Sequence, residues 1–591
     1  MIDVTTDGDS VSVVAGSYRL ITATDRPFVR VFDAGGDLLC ELFVPSSINP
    51  LHDRDDTVAL GRWHVEAGRG PNGEEGVVLC MEAQSSVWEG KEYRFHCSEN
   101  SFQYEVTVSG SGCLAEANFF GGYYSADLRW GSGFFPSGQR FLRMFNPEPD
   151  ISEEIYFLPA ANNAIDLMGV PLPSRGDWFF TPAPFAFSCA GANGWMAMGV
   201  AARPGTQHFT ALRYHGQRDS FFLTLDFEGY TPVSGSYTLP AIRFDFAADD
   251  GVPAADAYEA LAAHVEGLRA AGLTPQAGAE EAPAWWRSPQ WWRSPIFCGW
   301  GAQCHLAKKN GAHAPDYARQ ALYEQFLAAL EEEGIAPGTI VVDDKWQATY
   351  GNNDVDETKW PSMKAFVAEQ HEAGRRVLLW LKAWDPEGVP AAECMTNAAG
   401  AAIAVDPTNP AYERRLRAAV RHLLSPEGLD ADGFKIDFTA RIPSGPGIRR
   451  HGEAWGLELM KQYLGNLYDE AKRAKADALI MTHTPHPYLA DVLDMIRLND
   501  MNIGTDIPRA MKHRARVARI ACPEAIVDTD NWPIADKATW RAYVPLQAEL
   551  GVPSLYYSSH VDATGEPLEA EDYELLREVW QAYRERVFAT N

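Results

Sequence analysis

The chain has 591 residues, 46% of them hydrophobic and 22% charged, and carries a formal net charge of −29. This length exceeds what one hydrophobic core supports and predicts several domains, and no apolar run is long enough to span a bilayer. The acidic balance argues against nucleic acid and membranes as partners, because nucleic acid and anionic lipids are bound through basic patches.

The N-terminal part predicts a domain made of β-strands. Its first segment, MIDVTTDGDS, lacks the basic and apolar regions of a secretory signal, so we expect a cytoplasmic protein. Residues 1–250 then contain short β-branched and aromatic runs such as SVSVVAGSYRLITAT, separated by turn signals such as Gly35-Gly36. Many short strands without a helical period predict a large all-β supersandwich.

A helix and a linker follow over residues 251–284. The helical spacing is carried by Tyr258, Leu261, Val265 and Leu268. The segment TPQAGAEEAPA is typical of a linker. The doubled WWRSPQWWRSP (285–295) predicts packing between domains more than a sugar-binding platform.

Residues 285–565 predict a (β/α)8 TIM barrel. Short apolar strands alternate there with amphipathic helices, and the strands are IFCGW (296–300), TIVVDD (339–344), RVLLWL (376–381), GFKIDF (433–438), ALIMTHT (478–484), LDMIRLND (493–500), AIVDTD (525–530) and SLYYSS (554–559). Between the fifth and sixth strands, PHPYLADV leaves room only for a very short helix. Residues 566–591 predict a C-terminal helix that closes the barrel.

Cysteine spacing gives no sign of a metal site or a disulfide framework. The nine cysteines are an odd number without a CxxC pair. CGWGAQCHL, with Cys298, Cys304 and His305, has no second half that would complete a zinc site. We expect buried reduced thiols, no metal and no organic cofactor.

In a TIM barrel the chemistry lies at the C-terminal ends of the strands. Those ends carry aromatic, acidic and histidine side chains: Trp300, Asp343, Asp344, Trp384, Asp385, Asp437, His483, Asp500, Asp528 and Asp530. Converging carboxylates raise one another's pKa and cost stability, which a purely structural barrel does not need. The set therefore predicts a binding or catalytic pocket, and we expect its members to include these substrate contacts: Trp300, Trp384, His483, Asp528 and Asp530.

Lys435 and Asp437 lie on the opposite face of their strand from Phe434, Ile436 and Phe438. We expect both charges in the barrel lumen, with Asp437 nearer the mouth. A carboxylate beside a lysine stays ionised, which suits a nucleophile. The alternative is a buried ion pair that only fills the barrel.

A retaining glycosidase needs a second carboxyl group roughly 5–5.5 Å from the nucleophile. Asp500, at the end of the sixth strand, is the candidate, and its alternative role is a helix N-cap. Asp494 and Asp491 are weaker candidates. Arg497 would hold a sugar hydroxyl or the nucleophile.

The segment VVDDKWQ predicts an edge that binds sugar. Asp343 and Asp344 would accept two neighbouring hydroxyls, and Trp346 would offer its ring face. A turn cap is the alternative for the two aspartates.

These segments resemble the retaining α-glycosidase clan of glycoside hydrolase families 27, 31 and 36. VVDDKWQ is similar to the DDGW(Q) segment of family 36 α-galactosidases, and LLWLKAWDPEG is similar to the third strand of that family. DGFKIDF is similar to the nucleophile strand shared by the clan. RLND is similar to the acid/base segment, and VDTDNW is similar to the acidic strand after it. The sequence differs from the family 36 pattern at Ile436 and in the FTARIP that follows Asp437, and both are closer to family 31. It also has Lys345 where a glycine is usual.

The resemblance implies a retaining exo-α-glycosidase, an α-galactosidase in the first place, with Asp437 as nucleophile and Asp500 as acid/base. It also implies sugar contacts through Asp343, Asp344, Trp380 and Lys435. The rivals are an α-glucosidase or transglycosidase on the same barrel, and a catalytically silent sugar-binding protein. The expected partner is a small oligosaccharide or glycoside, and association of the chain with its own copies is left open.

In this clan, sandwich loops can reach over the barrel. NFFGGYYSADLRWGSGFFPSG (118–138) is therefore either a lid over the active site or a hairpin that packs on the sandwich core.

Overall fold

The computed structural model describes residues 2–23, 26–126, 131–145, 147, 186–207, 212–214, 220–247, 251–275, 288–498, 500 and 506–588. The N-terminal strands are β1 (Asp3–Asp7), β2 (Ser10–Val14), β3 (Tyr18–Thr22), β4 (Phe28–Asp33), β5 (Leu38–Phe43), β6 (Ser47–Pro50), β7 (Asp56–Leu60), β8 (His64–Arg69), β9 (Glu75–Ser85), β10 (Gly90–Cys97), β11 (Ser101–Phe119), β12 (Gly121–Tyr124), β13 (Gly133–Gln139), β14 (Arg143–Phe145), β15 (Ala186–Ala190), β16 (Trp195–Ala201), β17 (Leu212–Tyr214), β18 (Ser220–Phe221), β19 (Leu223–Thr238) and β20 (Ala241–Asp245).

The second part of the chain alternates strands and helices. They are α1 (Ala257–Ala270), β21 (Ile296–Cys298), α2 (Trp300–Asn310), α3 (Gln320–Glu332), β22 (Thr339–Val342), α4 (Met363–Glu372), β23 (Arg376–Lys382), β24 (Cys394–Thr396), β25 (Ala402–Val405), α5 (Pro410–Leu424), β26 (Gly433–Asp437), α6 (Gly456–Ala474), β27 (Leu479–Thr482), β28 (Met495–Arg497), α7 (Ile507–Ala521), β29 (Ile526–Asp528), α8 (Lys537–Leu550), β30 (Ser554–Leu555), β31 (His560–Val561), β32 (Glu566–Pro567) and α9 (Ala570–Phe588).

The N-terminal strands form the predicted β domain. They pair antiparallel except β7 with β12, and the long β11 pairs with β6, β10, β19 and β20. Side chains of β10 alternate between buried and half-exposed, as strand geometry requires, so that Tyr93 and Phe95 enter the core. Lys91 shares their face and is neutralised by Asp55, 2.7 Å away.

Helix α1 joins the two parts of the chain. Asp256 caps it by accepting hydrogen bonds from the backbone N–H groups of Tyr258 and Glu259. The Tyr258 hydroxyl lies 2.8 Å from Nδ1 of His513 on α7. Of the doubled tryptophan segment, Trp291 and Trp292 donate hydrogen bonds to Asp477 of the barrel, so these bonds lie within the barrel, and packing between domains stays a prediction. Trp285 and Trp286 lie outside the described residues.

Eight parallel strands form a nearly closed barrel, in the order β21, β22, β23, β26, β27, β28, β29, with β30 beside β21. Seven of them lie within a predicted segment, and β23 extends one residue beyond its own, to Lys382. One bridge, between Asp528 and Val552, links β29 to the chain before β30. Between β27 and β28 a single 3-10 turn, Pro487–Leu489, replaces an α-helix, as PHPYLADV predicted.

The aromatic segment at 118–138 is a hairpin in its described part. Strands β12 and β13 pair antiparallel, and Tyr124 and Phe135 contact the ring of Phe43 with centroid distances of 5.9 and 5.7 Å. Residues 127–130 lie outside the described residues. Across the described part of the chain, no helix combines the length and apolar character needed to cross a membrane.

Candidate active site

Lys435 and Asp437 both point into the barrel, as the alternation of β26 predicted. Their partners come from strands on several sides of the lumen, which only inward-facing side chains can reach. Lys435 does not pair with Asp437, however. Its Nζ lies 2.7 Å from Oδ2 of Asp343 and 3.6 Å from the Cys298 sulfur.

Arg497 at the end of β28 supplies the positive charge beside Asp437. Its Nη2 donates to Oδ1 of Asp437 at 2.9 Å, and its Nη1 donates to Oδ1 of Asp500 at 2.8 Å and to Asp530. The guanidinium is buried. One planar group therefore holds three carboxyl groups from three strand ends, the geometry for which arginine is suited.

Asp437 is held as a carboxylate. Its second oxygen, Oδ2, accepts a hydrogen bond from Nε1 of Trp380 at 2.9 Å. Burial by itself would raise the pKa of Asp437, but the charges of Arg497 and Lys435 and the hydrogen bond from Trp380 outweigh it and lower the pKa to about 2. The group is therefore ionised at neutral pH and aligned by donors on both oxygens.

Asp500 has the opposite protonation behaviour. Its side chain is 26% exposed, and burial, opposed by Arg497 and reinforced by the negative charges of Asp437 and Asp530, raises its pKa to about 7. Among the described helices Asp500 does not cap α7, whose N-cap is Asp506. Two carboxyl groups on one guanidinium thus have pKa values pushed far apart, which is how one site holds an acid and a base.

The aspartates on β29 are part of this network and are buried. Asp530 lies under Arg497, and Oδ1 of Asp530 accepts a hydrogen bond from the backbone N–H of Trp532 at 2.9 Å. Burial and the nearby Asp528 raise the pKa of Asp530 to about 6, and burial also raises the pKa of Asp528. Both were predicted as sugar contacts, yet their burial places them behind Arg497 rather than on an open face.

Two adjacent aspartates at the end of β22 have separate environments. Asp343 is 2% exposed and is occupied by Lys435, whereas Asp344 accepts a hydrogen bond from the Tyr350 hydroxyl at 2.8 Å. Burial, with the charge of Asp343, raises the pKa of Asp344 to about 7. Asp344 is therefore the more accessible of the two carboxyl groups and has Tyr350 beside it, and the contact of both aspartates with sugar stays a prediction.

Several predicted sugar contacts are packing residues in the structure. Trp346 is fully buried and donates its Nε1 proton to the carbonyl of Trp380, so its ring offers no platform. Trp384 is also buried, against Tyr463, and donates to the carbonyl of Thr439. Burial lowers the pKa of His483 well below its usual value, so this histidine is neutral. Trp300 is half-buried, and its ring meets that of Trp532.

The sequence interpretation missed two features of the site. Trp380 was predicted to contact sugar, but its indole aligns the Asp437 carboxylate. Tyr350 was not singled out at all, because it lies in the loop after β22 where no periodic pattern marks it. Its ring is flanked by the ammonium groups of Lys345 and Lys382, 4.1 and 4.2 Å from the centroid.

Unusual backbone conformations accompany these strand ends. Trp384, Phe438 and Asp530 follow β23, β26 and β29 closely and have φ values of 69, 61 and 25°. Residues other than glycine rarely adopt positive φ, and such strain is concentrated at functional sites, where surrounding contacts enforce it. At three strand ends of the barrel the surrounding contacts therefore hold the backbone in a conformation of the kind found at functional sites.

No protein-family model and no curated protein matches this chain. Solved structures do match it. A GH31 family sulfoquinovosidase from E. rectale, in complex with an aza-sugar inhibitor, is 11% identical over 99% of this chain and 83% of its own, with a TM-score of 0.59. A cycloalternan-degrading enzyme from Trueperella pyogenes is 11% identical over 97% and 83%, with a TM-score of 0.53.

A third similar structure is a GH31 α-xylosidase from a soil metagenome complexed with xylose, 12% identical over 99% of this chain and 76% of its own, with a TM-score of 0.51. At such identities the likeness concerns the fold. The likeness therefore shows that the β domain followed by the barrel is a fold that these enzymes also have.

Proposed function

We propose that this protein is a retaining α-glycosidase that acts on α-glucosides or closely related sugars. The observation that carries the proposal is the pair Asp437 and Asp500, joined through Arg497, with pKa values of about 2 and about 7. At neutral pH the first is a carboxylate that can attack, and the second retains enough acid form to donate a proton.

The residues support a double displacement. Asp437 attacks the anomeric carbon while Asp500 gives its proton to the leaving oxygen, which forms a glycosyl ester and releases the alcohol. Asp500, now a carboxylate, then takes a proton from water, and that water breaks the ester. Retention needs carboxyl groups roughly 5–5.5 Å apart, closer than inversion allows, and their shared guanidinium favours this close spacing.

The choice of sugar is revised from galactose to glucose. The galactoside prediction followed from the resemblance of VVDDKWQ to the DDGW(Q) segment of family 36 α-galactosidases, but in this chain Lys435 pairs with Asp343 of that segment. Family 31 similarity favours the alternative predicted from the sequence. Xylose and sulfoquinovose, in the names of two similar enzymes, share the equatorial 4-hydroxyl of glucose, whereas the 4-hydroxyl of galactose is axial.

The test of this proposal is the release of p-nitrophenol from α-glucoside, α-xyloside, α-sulfoquinovoside and α-galactoside. We expect turnover on at least one of the first three and less on the galactoside. NMR of the first sugar formed should show the α-anomer. Turnover of the galactoside alone would contradict the proposed sugar specificity, and a β-anomer as first product would contradict the retaining mechanism. Tight binding without turnover would indicate a silent sugar-binding protein. Transfer products at high acceptor concentration would indicate a transglycosidase.

Asp530 should set the alkaline limit of activity. Its negative charge raises the pKa of Asp500, and Asp500 must be protonated to act as an acid. In Asp530→Asn, the pKa of Asp500 falls, so the alkaline limb of kcat/KM should move from about 7 to lower pH by roughly one unit. The measurement is the pH profile of kcat/KM on the best aryl glycoside.

The control for this prediction is Asp530→Glu, which disturbs packing but keeps the charge. The alkaline limb of kcat/KM for Asp530→Glu should stay near that of the wild type. Thermal unfolding of both variants would show how much fold stability each has lost. Equal shifts in the two variants, or no shift in Asp530→Asn, would contradict the assigned role of the Asp530 charge.

A further inference from the structure

Three side chains with metal-binding atoms meet where β8 and β9 of the β domain pair. His64 on β8 lies directly opposite Cys80 on β9, and Glu66 lies two residues further along β8, on the same face as His64. Nε2 of His64 is 3.3 Å from Oε1 of Glu66. One donor atom from each of the three residues lies within 4.8 Å of the other two.

The spacing and chemistry of these atoms suit zinc. Zinc bonds to nitrogen and carboxylate oxygen are about 2.0–2.2 Å long, so two such ligands of a tetrahedral ion lie roughly 3.4 Å apart. The measured His64–Glu66 separation is close to that value. An imidazole, a carboxylate and a thiolate are ligands that zinc accepts, and three protein ligands leave the fourth position for water.

Access to the group is open from solvent. The side chains of His64 and Glu66 are 48% and 53% exposed, while Cys80 is buried beneath them. Burial and the Glu66 charge raise the pKa of the Cys80 thiol to about 11, so zinc binding would release its proton. The adjacent cation, Arg94, lies opposite Cys80 on β10, and Glu92 pairs with it at 2.9 Å.

We propose that His64, Glu66 and Cys80 bind one zinc ion that fastens β8 to β9. Among the described strands β8 pairs with β9 alone, so it is an edge strand, and edge strands are held by half the hydrogen bonds of an inner strand. An ion that binds the paired strands and not the unfolded chain stabilises that pairing by mass action. This site is independent of the glycosidase chemistry.

The experiment is zinc titration by calorimetry of the full chain after chelator treatment, in a Cys113→Ser background because Cys113 is an exposed thiol. We expect one zinc per chain. His64→Ala, Glu66→Gln and Cys80→Ser should each weaken binding by at least tenfold, since loss of an outer-shell partner already costs roughly 10–100-fold. Because Glu66 is exposed, Glu66→Gln should fold normally.

Cobalt gives a second readout that does not depend on stability. The cobalt-loaded protein should show a thiolate-to-cobalt absorption band that Cys80→Ser lacks. The matched control is His52→Asn, which removes an exposed histidine elsewhere on the β domain and suits its φ of 77°. The proposal is overturned by absence of binding at micromolar zinc, by full affinity in His64→Ala and Glu66→Gln, or by a cobalt band that survives in Cys80→Ser.

Discussion

Asp437→Asn is expected to lower kcat for glycoside hydrolysis by at least about 10⁴-fold, since loss of a nucleophile removes the covalent route and costs up to about 10⁶-fold in other enzymes. The amide cannot attack the anomeric carbon. It is nearly the same size as the carboxylate, so the pocket should stay intact, although its NH₂ group would face either the Trp380 or the Arg497 donor. The measurement is kcat on the best aryl glycoside from the substrate panel.

The controls for this prediction separate chemistry from folding. Asp491→Asn changes an exposed acid that pairs with Lys461 before β28, and it should leave kcat unchanged. In Asp437→Gly, added azide should restore turnover and give a glycosyl azide of inverted configuration, because azide enters the space of the missing nucleophile. Activity of Asp437→Asn within tenfold of the wild type would contradict the nucleophile role.

The sequence predicted the barrel well because buried parallel strands leave a clear signal. Each strand is a short, nearly continuous apolar run, as burial on both faces requires, and all eight such runs overlap with a barrel strand. The same logic located Asp437, Arg497 and Asp500 at strand ends, and parallel strand ends meet at one mouth. In the structure Arg497 contacts both Asp437 and Asp500.

The pairing of charges was not predictable in the same way. Alternation along β26 predicts that Lys435 faces the lumen, but it does not predict which carboxyl group Lys435 pairs with. In the structure that partner is Asp343, on a neighbouring part of the barrel. Trp346 lies in the loop after β22, where no periodic pattern of apolar residues predicts which side chains are buried. Its side chain is buried in the structure. The group of His64, Glu66 and Cys80 depends on the register of β8 against β9. Strand β8 is largely exposed on both faces, and the sequence of such a strand specifies its register only weakly.

Asp500→Ala is expected to lower kcat/KM by a factor that depends on the leaving group. Without the acid, release of an alkyl alcohol or a sugar should slow by roughly 10³-fold, within the range that general acid catalysis contributes. A p-nitrophenol leaving group needs little protonation, so formation of the glycosyl ester should slow far less. The measurement is kcat/KM for a p-nitrophenyl glycoside and a disaccharide of the same sugar, with wild type and variant side by side.

The pH dependence and azide complete the test of Asp500. The alkaline limb near 7 should disappear from kcat/KM of Asp500→Ala, because the group that titrates there is gone. Azide should accelerate breakdown of the ester and give a glycosyl azide of retained configuration, opposite to the product from Asp437→Gly. Equal losses on both substrates, or an unchanged alkaline limb, would move the acid role to another group, and Asp344, whose pKa is also about 7, is the next candidate. Opposite azide configurations from the two variants would assign the two carboxyl groups to opposite faces of the sugar, which only a double displacement explains.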